Sequence, residues 1–348
     1  MAEKTAQQSP HSHLGVPDPE WLSFYAKHKA RVPQLEGSPE HLRSIMENLK
    51  IEATAKIPPI KGLTTDDVKV KASDGYEVPV RVYSPEGVTL PRPGFVYIHG
   101  GGWTLGDLEG EDIACRAICA VAKVIVVAMD YRLAPENPFP KGLEDCWDVL
   151  EWASSKSLIS ERSRLTGSRP SKDMPHSASE KTGFCLGDQV QEAAVLAHRA
   201  RDRGIQLRGQ ILRIPATCHI DCYPPELQLY SMEELKYAPL LSKHSMELFY
   251  GYYNPPDPSS PEVSPLLNQN FFGLAPAYLQ VAGLDPLRDE GLAYAEKLRE
   301  SGVQTKLDIY PGLPHAFGYF PELSAALKIS QDLINAIQDL TEREELDG

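Results

Sequence analysis

The sequence predicts an α/β fold: a mostly parallel central sheet flanked by helices, with a helical arm before it and an inserted lid segment within it. Three observations carry that expectation. Short continuous apolar runs rich in β-branched residues, at 95–98 and 124–129, are bounded by turns, as strands buried on both faces should be. The pattern returns in the second half, with strand-like runs at 184–186, 210–214, 278–282 and 306–310. Helical periodicity fills the intervals and closes the chain at 287–300 and 323–340, and strand-helix alternation of this length argues for a parallel sheet.

Taken in order, residues 1–62 form the arm, with helical patterns at 21–28 and 41–51, and end in the Ile57-Pro58-Pro59-Ile60 break. Residues 63–348 form the main domain. It opens with apolar/polar alternation at 67–71 and 77–83 around Ser73-Asp74-Gly75, a hairpin signal. The stretch 227–267 interrupts the alternation and ends rich in Tyr and Pro, which marks the lid insertion. The tract 154–182 is Ser-rich and short of apolar side chains, too poor to offset its own ordering entropy. It is a polar loop or an artefact of the gene model.

Composition narrows the function classes. The 348 residues are 42% hydrophobic and 24% charged, an ordinary globular composition with a sizeable core. Thirty-five Lys and Arg against 48 Asp and Glu leave a net charge of −13, which speaks against nucleic acid and anionic membrane as partners. No window approaches the roughly 18 consecutive apolar residues of a membrane span. The first residues lack the apolar region of a secretory signal, so the cytoplasm is the expected location. Six cysteines are too sparse for a disulfide framework and read as reduced thiols. In Cys218-His219-Ile220-Asp221-Cys222 the metal-type ligands crowd together without a second cluster, so no metal is expected. Neither a dinucleotide fingerprint nor a phosphate loop is present, so no cofactor is expected.

The chemistry-bearing segments sit at strand ends. His99-Gly100-Gly101-Gly102-Trp103 directly follows the run 95–98, and glycines there expose backbone N–H groups and admit a ligand closely, an arrangement able to hold an oxyanion. Trp103 is expected to line the same site. An acid in Gly283-Leu284-Asp285-Pro286-Leu287-Arg288-Asp289-Glu290 and a histidine in Pro314-His315-Ala316-Phe317 follow successive strands, as a base and its orienting carboxylate require. Together with Asp130-Tyr131-Arg132-Leu133-Ala134-Pro135-Glu136, these ordered motifs resemble the hormone-sensitive-lipase-like branch of the α/β-hydrolase fold, over about residues 65–342. The resemblance implies a serine esterase or lipase frame. It implies oxyanion N–H groups from Gly100 and Gly101, with Gly102 beside them, an orienting Asp285 and a general base His315.

The third member of the triad departs from the pattern. The family carries its serine in a tight elbow, G-D-S-A-G-G, where this chain has Gly187-Asp188-Gln189-Val190-Gln191-Glu192. Anchoring on Gly-Asp places Gln189 at the serine, and anchoring on the strand places Val190 there. Neither side chain is a nucleophile. A shifted splice site across 154–192 would account for both the polar tract and the altered elbow, in which case the product is a carboxylic ester hydrolase acting on a small or medium acyl ester. Two other readings stay open: a non-hydrolytic lyase or cyclase using His315 and Asp285, and a catalytically dead protein that binds a small ester or carbonyl ligand. A homodimer stays open as well.

Overall fold

The computed structural model describes residues 8–54, 57–88, 93–155, 184–188 and 191–342. Most of the polar tract, together with Gln189 and Val190, lies outside the described residues. The expected hairpin is β1 (Leu63–Lys71) against β2 (Glu77–Pro85), antiparallel, with Val68 opposite Val80 and Val70 opposite Val78. Gly75, at φ +91°, makes the turn, and Asp74 accepts the Tyr76 N–H at 3.1 Å. The remaining strands are β3 (Gly94–Ile98), β4 (Ile125–Met129), β5 (Phe184–Asp188), β6 (Leu207–Arg213), β7 (Ala277–Leu284) and β8 (Thr305–Pro314).

They form one eight-stranded sheet in the order β1-β2-β4-β3-β5-β6-β7-β8. β1 and β2 join antiparallel, and every pairing from β4 to β8 is parallel. After β3 the chain turns first to β4 and then crosses to β5 on the other side. That reversal opens a crevice at the carboxyl ends of β3 and β5, where ligands bind in open α/β sheets. Ile214, expected within a strand, lies one residue past β6 at φ +43°, a backbone no extended ladder accepts.

Among the described residues the α-helices are α1 (Pro19–His28), α2 (Pro39–Thr54), α3 (Leu108–Ala122), α4 (Lys141–Ser154), α5 (Gln191–Asp202), α6 (Ser231–Glu234), α7 (Lys243–Tyr253), α8 (Arg288–Glu300) and α9 (Ser324–Glu342). The pleat of β3 shows how they layer. Phe95 and Tyr97 pack with Cys115, Ile118 and Cys119 of α3 and Leu333 and Ile337 of α9 on one face. Val96 and Ile98 pack with Val149 of α4, Leu196 of α5 and Leu298 of α8 on the other. Between β6 and β7 the chain leaves the alternation and carries α6 and α7 across the carboxyl edge. No helix among the described residues is long and apolar enough to cross a membrane.

The caps explain where helices begin. Asp18 accepts the N–H groups of Glu20 and Trp21 at the head of α1, with Pro19 at the first helical position. Asp107 accepts the Gly110 N–H at 2.6 Å and starts α3 directly behind the glycine loop. Ser242 and Ser245 cap each other reciprocally at α7.

One buried ion pair holds the segment after β4. Asp145, fully buried, accepts Arg132 N–H, Nε and Nη2 at 2.9, 2.9 and 2.6 Å. Arg132 also donates to Asp74 at 2.9 Å, so removing Asp145 costs it three hydrogen bonds but not its last carboxylate. Asp145→Ala should therefore lower stability by about 1.5–3 kcal/mol in urea unfolding, and a loss below about 1 kcal/mol, the level of an exposed pair, would contradict that assignment.

Candidate active site

The loop after β3 is built so that only glycine fits. Gly101, Gly102 and Gly106 have φ of +130°, +55° and +101°, and Trp103 shares the left-handed region at +60°. A Cβ on Gly101 would lie 2.4 Å from the Leu105 carbonyl oxygen, and one on Gly102 would lie 2.7 Å from the Phe249 ring. The Gly101 carbonyl accepts the Thr104 and Leu105 N–H groups at 3.2 and 3.0 Å, which folds the loop back on itself. Among the described residues, no amide N–H of Gly100, Gly101 or Gly102 donates a hydrogen bond. Three backbone donors at one strand end are thus left for something else.

His99 braces this loop from below. Its Nδ1 lies 3.1 Å from the Gly100 carbonyl oxygen, its ring stacks on Tyr131 at 4.3 Å, and Tyr131 donates to the His99 carbonyl. Burial lowers its pKa, so the imidazole is neutral and Nδ1 is the donor to Gly100. The arm clamps the same loop from above. Arg43 of α2 donates to the Thr104 and Ala134 carbonyls and grips Glu136 with two bonds of 2.7 and 2.8 Å. That grip holds the Glu136 carboxyl down at about 2.

Asp285 and His315 come from the ends of β7 and β8, adjacent parallel strands. Asp285 is buried, and its Oδ1 accepts the Leu287 N–H at 2.9 Å. Its Oδ2 lies 2.8 Å from His315 Nδ1. With Nδ1–H donated to the carboxylate, Nε2 carries the free lone pair. Ala316, at φ +55°, turns the chain immediately afterwards and buries Phe317.

A cavity of about 70 Å³ joins these parts, lined by Gly100, Gly101, Gly102, Trp103 and His315. Asp285 stands one hydrogen bond behind it. The structure therefore assembles every expected site residue that it describes; Gln189 and Val190 lie outside the described residues. It also adds wall residues that sequence reasoning missed. Lys50 and Met46 reach in from α2, Leu105 and Leu287 from the two loops, and Gln191 from the head of α5. The one available signal was Lys50, a charge on the apolar face of an amphipathic helix beside Leu49. Of the aromatics in the segment 227–267, Phe249 lines the cavity, whereas Tyr250 and Tyr253 pack on the Trp103 ring at 4.9 and 4.3 Å. Tyr237 points to solvent, 84% exposed. Among the described residues no three His, Cys, Asp or Glu side chains are placed to hold a metal.

Gln191 and Glu192, where the family elbow has glycines, are both buried, at 1% exposure each. Gln191 Nε2 donates to the Glu262 carbonyl at 2.7 Å. The Glu192 carboxyl lies beside the Trp103 indole N–H, which favours its charged form, and among the described residues the Tyr253 hydroxyl has no hydrogen-bond partner. Burial pushes the Glu192 carboxyl from 4.5 up to about 7. The Cys146 thiol and the Tyr250 and Tyr253 hydroxyls, all raised by burial, face it and stay neutral. Below about pH 4.5 the carboxyl is protonated in both the folded and the unfolded chain; up to about 7 only the folded chain keeps the proton. Folding is therefore favoured by acid, and stability falls as pH rises through that window, by at most about 3 kcal/mol from this group. Glu290, raised to about 8 by burial, slopes the same way. Urea unfolding at pH 5 and pH 8 should show Glu192→Gln losing less stability across the interval than the unaltered chain; equal losses would refute the assignment.

A family model for the alpha/beta hydrolase fold matches residues 95–318. The chain is 30% identical over 321 residues to a versiconal hemiacetal acetate esterase of Dothistroma septosporum, covering 91% of this chain and 93% of the relative. It is 35% identical over 298 residues to carboxylesterase NlhH of Mycobacterium tuberculosis, covering 84% and 82%. Among solved structures it is similar to a vibralactone cyclase, at TM-score 0.81 and 31% identity over 94% of this chain and 96% of the other. It is also similar to a bacterial heroin esterase, at TM-score 0.77 and 26% identity over 94% and 99%.

Proposed function

The chain belongs to the alpha/beta hydrolase fold-3 family, the hormone-sensitive-lipase-like branch, and on that premise we propose that it is a carboxylic ester hydrolase acting on a small or medium acyl ester through Asp285, His315 and the glycine loop. One observation carries the reading: the Asp285-bound His315 opens onto the same cavity as three glycines whose amides have no partner among the described residues. That is the donor and base arrangement of acyl transfer. The esterase relatives support the same substrate class.

Gln189 stands where the family has its serine, and a carboxamide does not attack carbonyls. The nucleophile in this reading is water. His315 Nε2 takes the proton of a water attacking the acyl carbonyl, and Asp285 stabilises the imidazolium that results. The glycine N–H groups receive the negative oxygen of the tetrahedral intermediate. Its collapse breaks the bond to the alkoxy oxygen, which takes the proton back from His315, leaving a carboxylic acid and an alcohol. Losing a triad serine costs on the order of 10⁶-fold in rate, so turnover by this route is slow. The test is hydrolysis of p-nitrophenyl butyrate at high protein concentration. A rate above buffer that disappears in His315→Ala supports the reading, and a rate equal to buffer overturns it.

A second reading is favoured by the vibralactone cyclase likeness. The same His315–Asp285 pair abstracts a proton beside the glycine loop and drives an elimination or ring closure of a small carbonyl compound. Product analysis separates the two, because hydrolysis incorporates solvent oxygen into the acid and ring closure does not.

A further inference from the structure

We propose that Gln191 is a specificity-determining residue that restricts the cavity to short acyl groups of about two to four carbons. The inference rests on the ligand-pocket reading above and adds what the pocket accepts.

Gln191 lies on the wall facing the glycine loop and His315, almost wholly buried. Its side chain is held and does not swing freely. Nε2 donates to the Glu262 carbonyl at 2.7 Å, and the Glu262 carboxylate is itself gripped by Arg199, two turns along the same helix, at 2.9 and 2.6 Å. This assignment of the carboxamide nitrogen follows from the partner, since a carbonyl oxygen only accepts. The other end of the amide, Oε1, has no donor among the described residues. The plug therefore has one orientation, fixed by α5 and the segment before β7.

The space left beside it is small and greasy. At about 15 Å³ for each water-sized group, the 70 Å³ cavity holds roughly five non-hydrogen atoms. An acyl carbonyl uses two of those positions and leaves room for a chain of one to three further carbons. Leu105, Ala216, Met246, Phe249 and Leu287 supply apolar wall for the tail, and the same cavity is also lined by the charged side chains of Lys50 and Glu111. Each methylene that fits should raise affinity about fourfold. The first one that meets Gln191 should reverse the trend, because a packed interior does not yield.

The experiment measures affinities of straight-chain primary amides, acetamide to octanamide, by ligand-observed NMR. They present a carbonyl to the glycines and are not esters, so turnover does not interfere. In the unaltered chain affinity should climb to butyramide and then drop about tenfold at hexanamide. Gln191→Ala should move the optimum by at least two carbons, to hexanamide or beyond. Gln191→Met, which keeps the bulk and drops the amide, should keep the short-chain cut-off and shows that a shift in the alanine variant reflects space and not general loosening. An unchanged profile in Gln191→Ala, or an equal shift in Gln191→Met, overturns the role of Gln191 and leaves the pocket standing. If no amide binds either protein, the cavity is not an acyl site and the functional reading falls with it.

Discussion

Rebuilding the elbow with Gln189→Ser, Val190→Ala, Gln191→Gly and Glu192→Gly should raise hydrolysis of p-nitrophenyl butyrate by at least about 10³-fold, part of the roughly 10⁶ that a triad serine is worth. The rest of the apparatus is already in place: His315 is oriented by Asp285 at 2.8 Å, and the glycine amides are unpaired among the described residues. What the proposed acyl transfer lacks is a nucleophilic hydroxyl at position 189. Gln191 and Glu192 are buried side chains where the family elbow has none, so a serine alone meets a crowded cradle. Gln189→Ser by itself should therefore gain far less than the four-residue variant. Both should keep a cooperative melt, and the four-residue variant should acquire a burst of p-nitrophenol equal to one acyl group per chain. A folded four-residue variant with neither gain nor burst would mean that the glycine loop and His315 are not arranged for acyl transfer.

His315→Ala should remove the remaining catalysis, a loss of about 10²–10⁴-fold in kcat for whichever reaction the unaltered chain performs. The sign follows from geometry. Nε2 is the free proton acceptor on the cavity wall, and no other imidazole is among the described residues that line it. Asp285→Asn should cost a similar factor, because an amide nitrogen facing Nδ1 favours the other tautomer and puts the proton on Nε2, where the lone pair is needed. The two effects should not add when combined, since both disable one unit. Ligand affinity should change little in either variant, which separates loss of the base from loss of the pocket. Turnover unaffected by His315→Ala would sink both the hydrolytic and the ring-closing readings.

Much of this was legible without coordinates, for a local reason. The β-branched runs at 95–98 and 124–129 contain the side chains of both core layers, so strand identity was written in composition alone. Gly101 and Gly102 have positive φ, a backbone that favours glycine, so the glycine run after the strand stands out in the sequence. Asp285 and His315 stood out because each directly follows a strand. Boundaries were read less well: Ile214 looked like strand by its side chain, while its backbone, at φ +43°, had already turned.

By itself, then, the sequence determined the alternation, the motifs at the strand ends and the departure of 187–192 from the family's serine elbow, because each depends on residue types within a few positions of one another. Only the tertiary structure decided that Lys50 and Met46 of the arm share a cavity with His315, that Arg43 clamps the glycine loop, and that Gln191 closes the wall on a hydrogen bond to Glu262. Those partners are separated by 71 residues for Gln191 and Glu262 and by 61 for Arg43 and Thr104. No periodicity spans such intervals; they meet because the strand order reverses at β3 and gathers the carboxyl ends of distant strands at one edge.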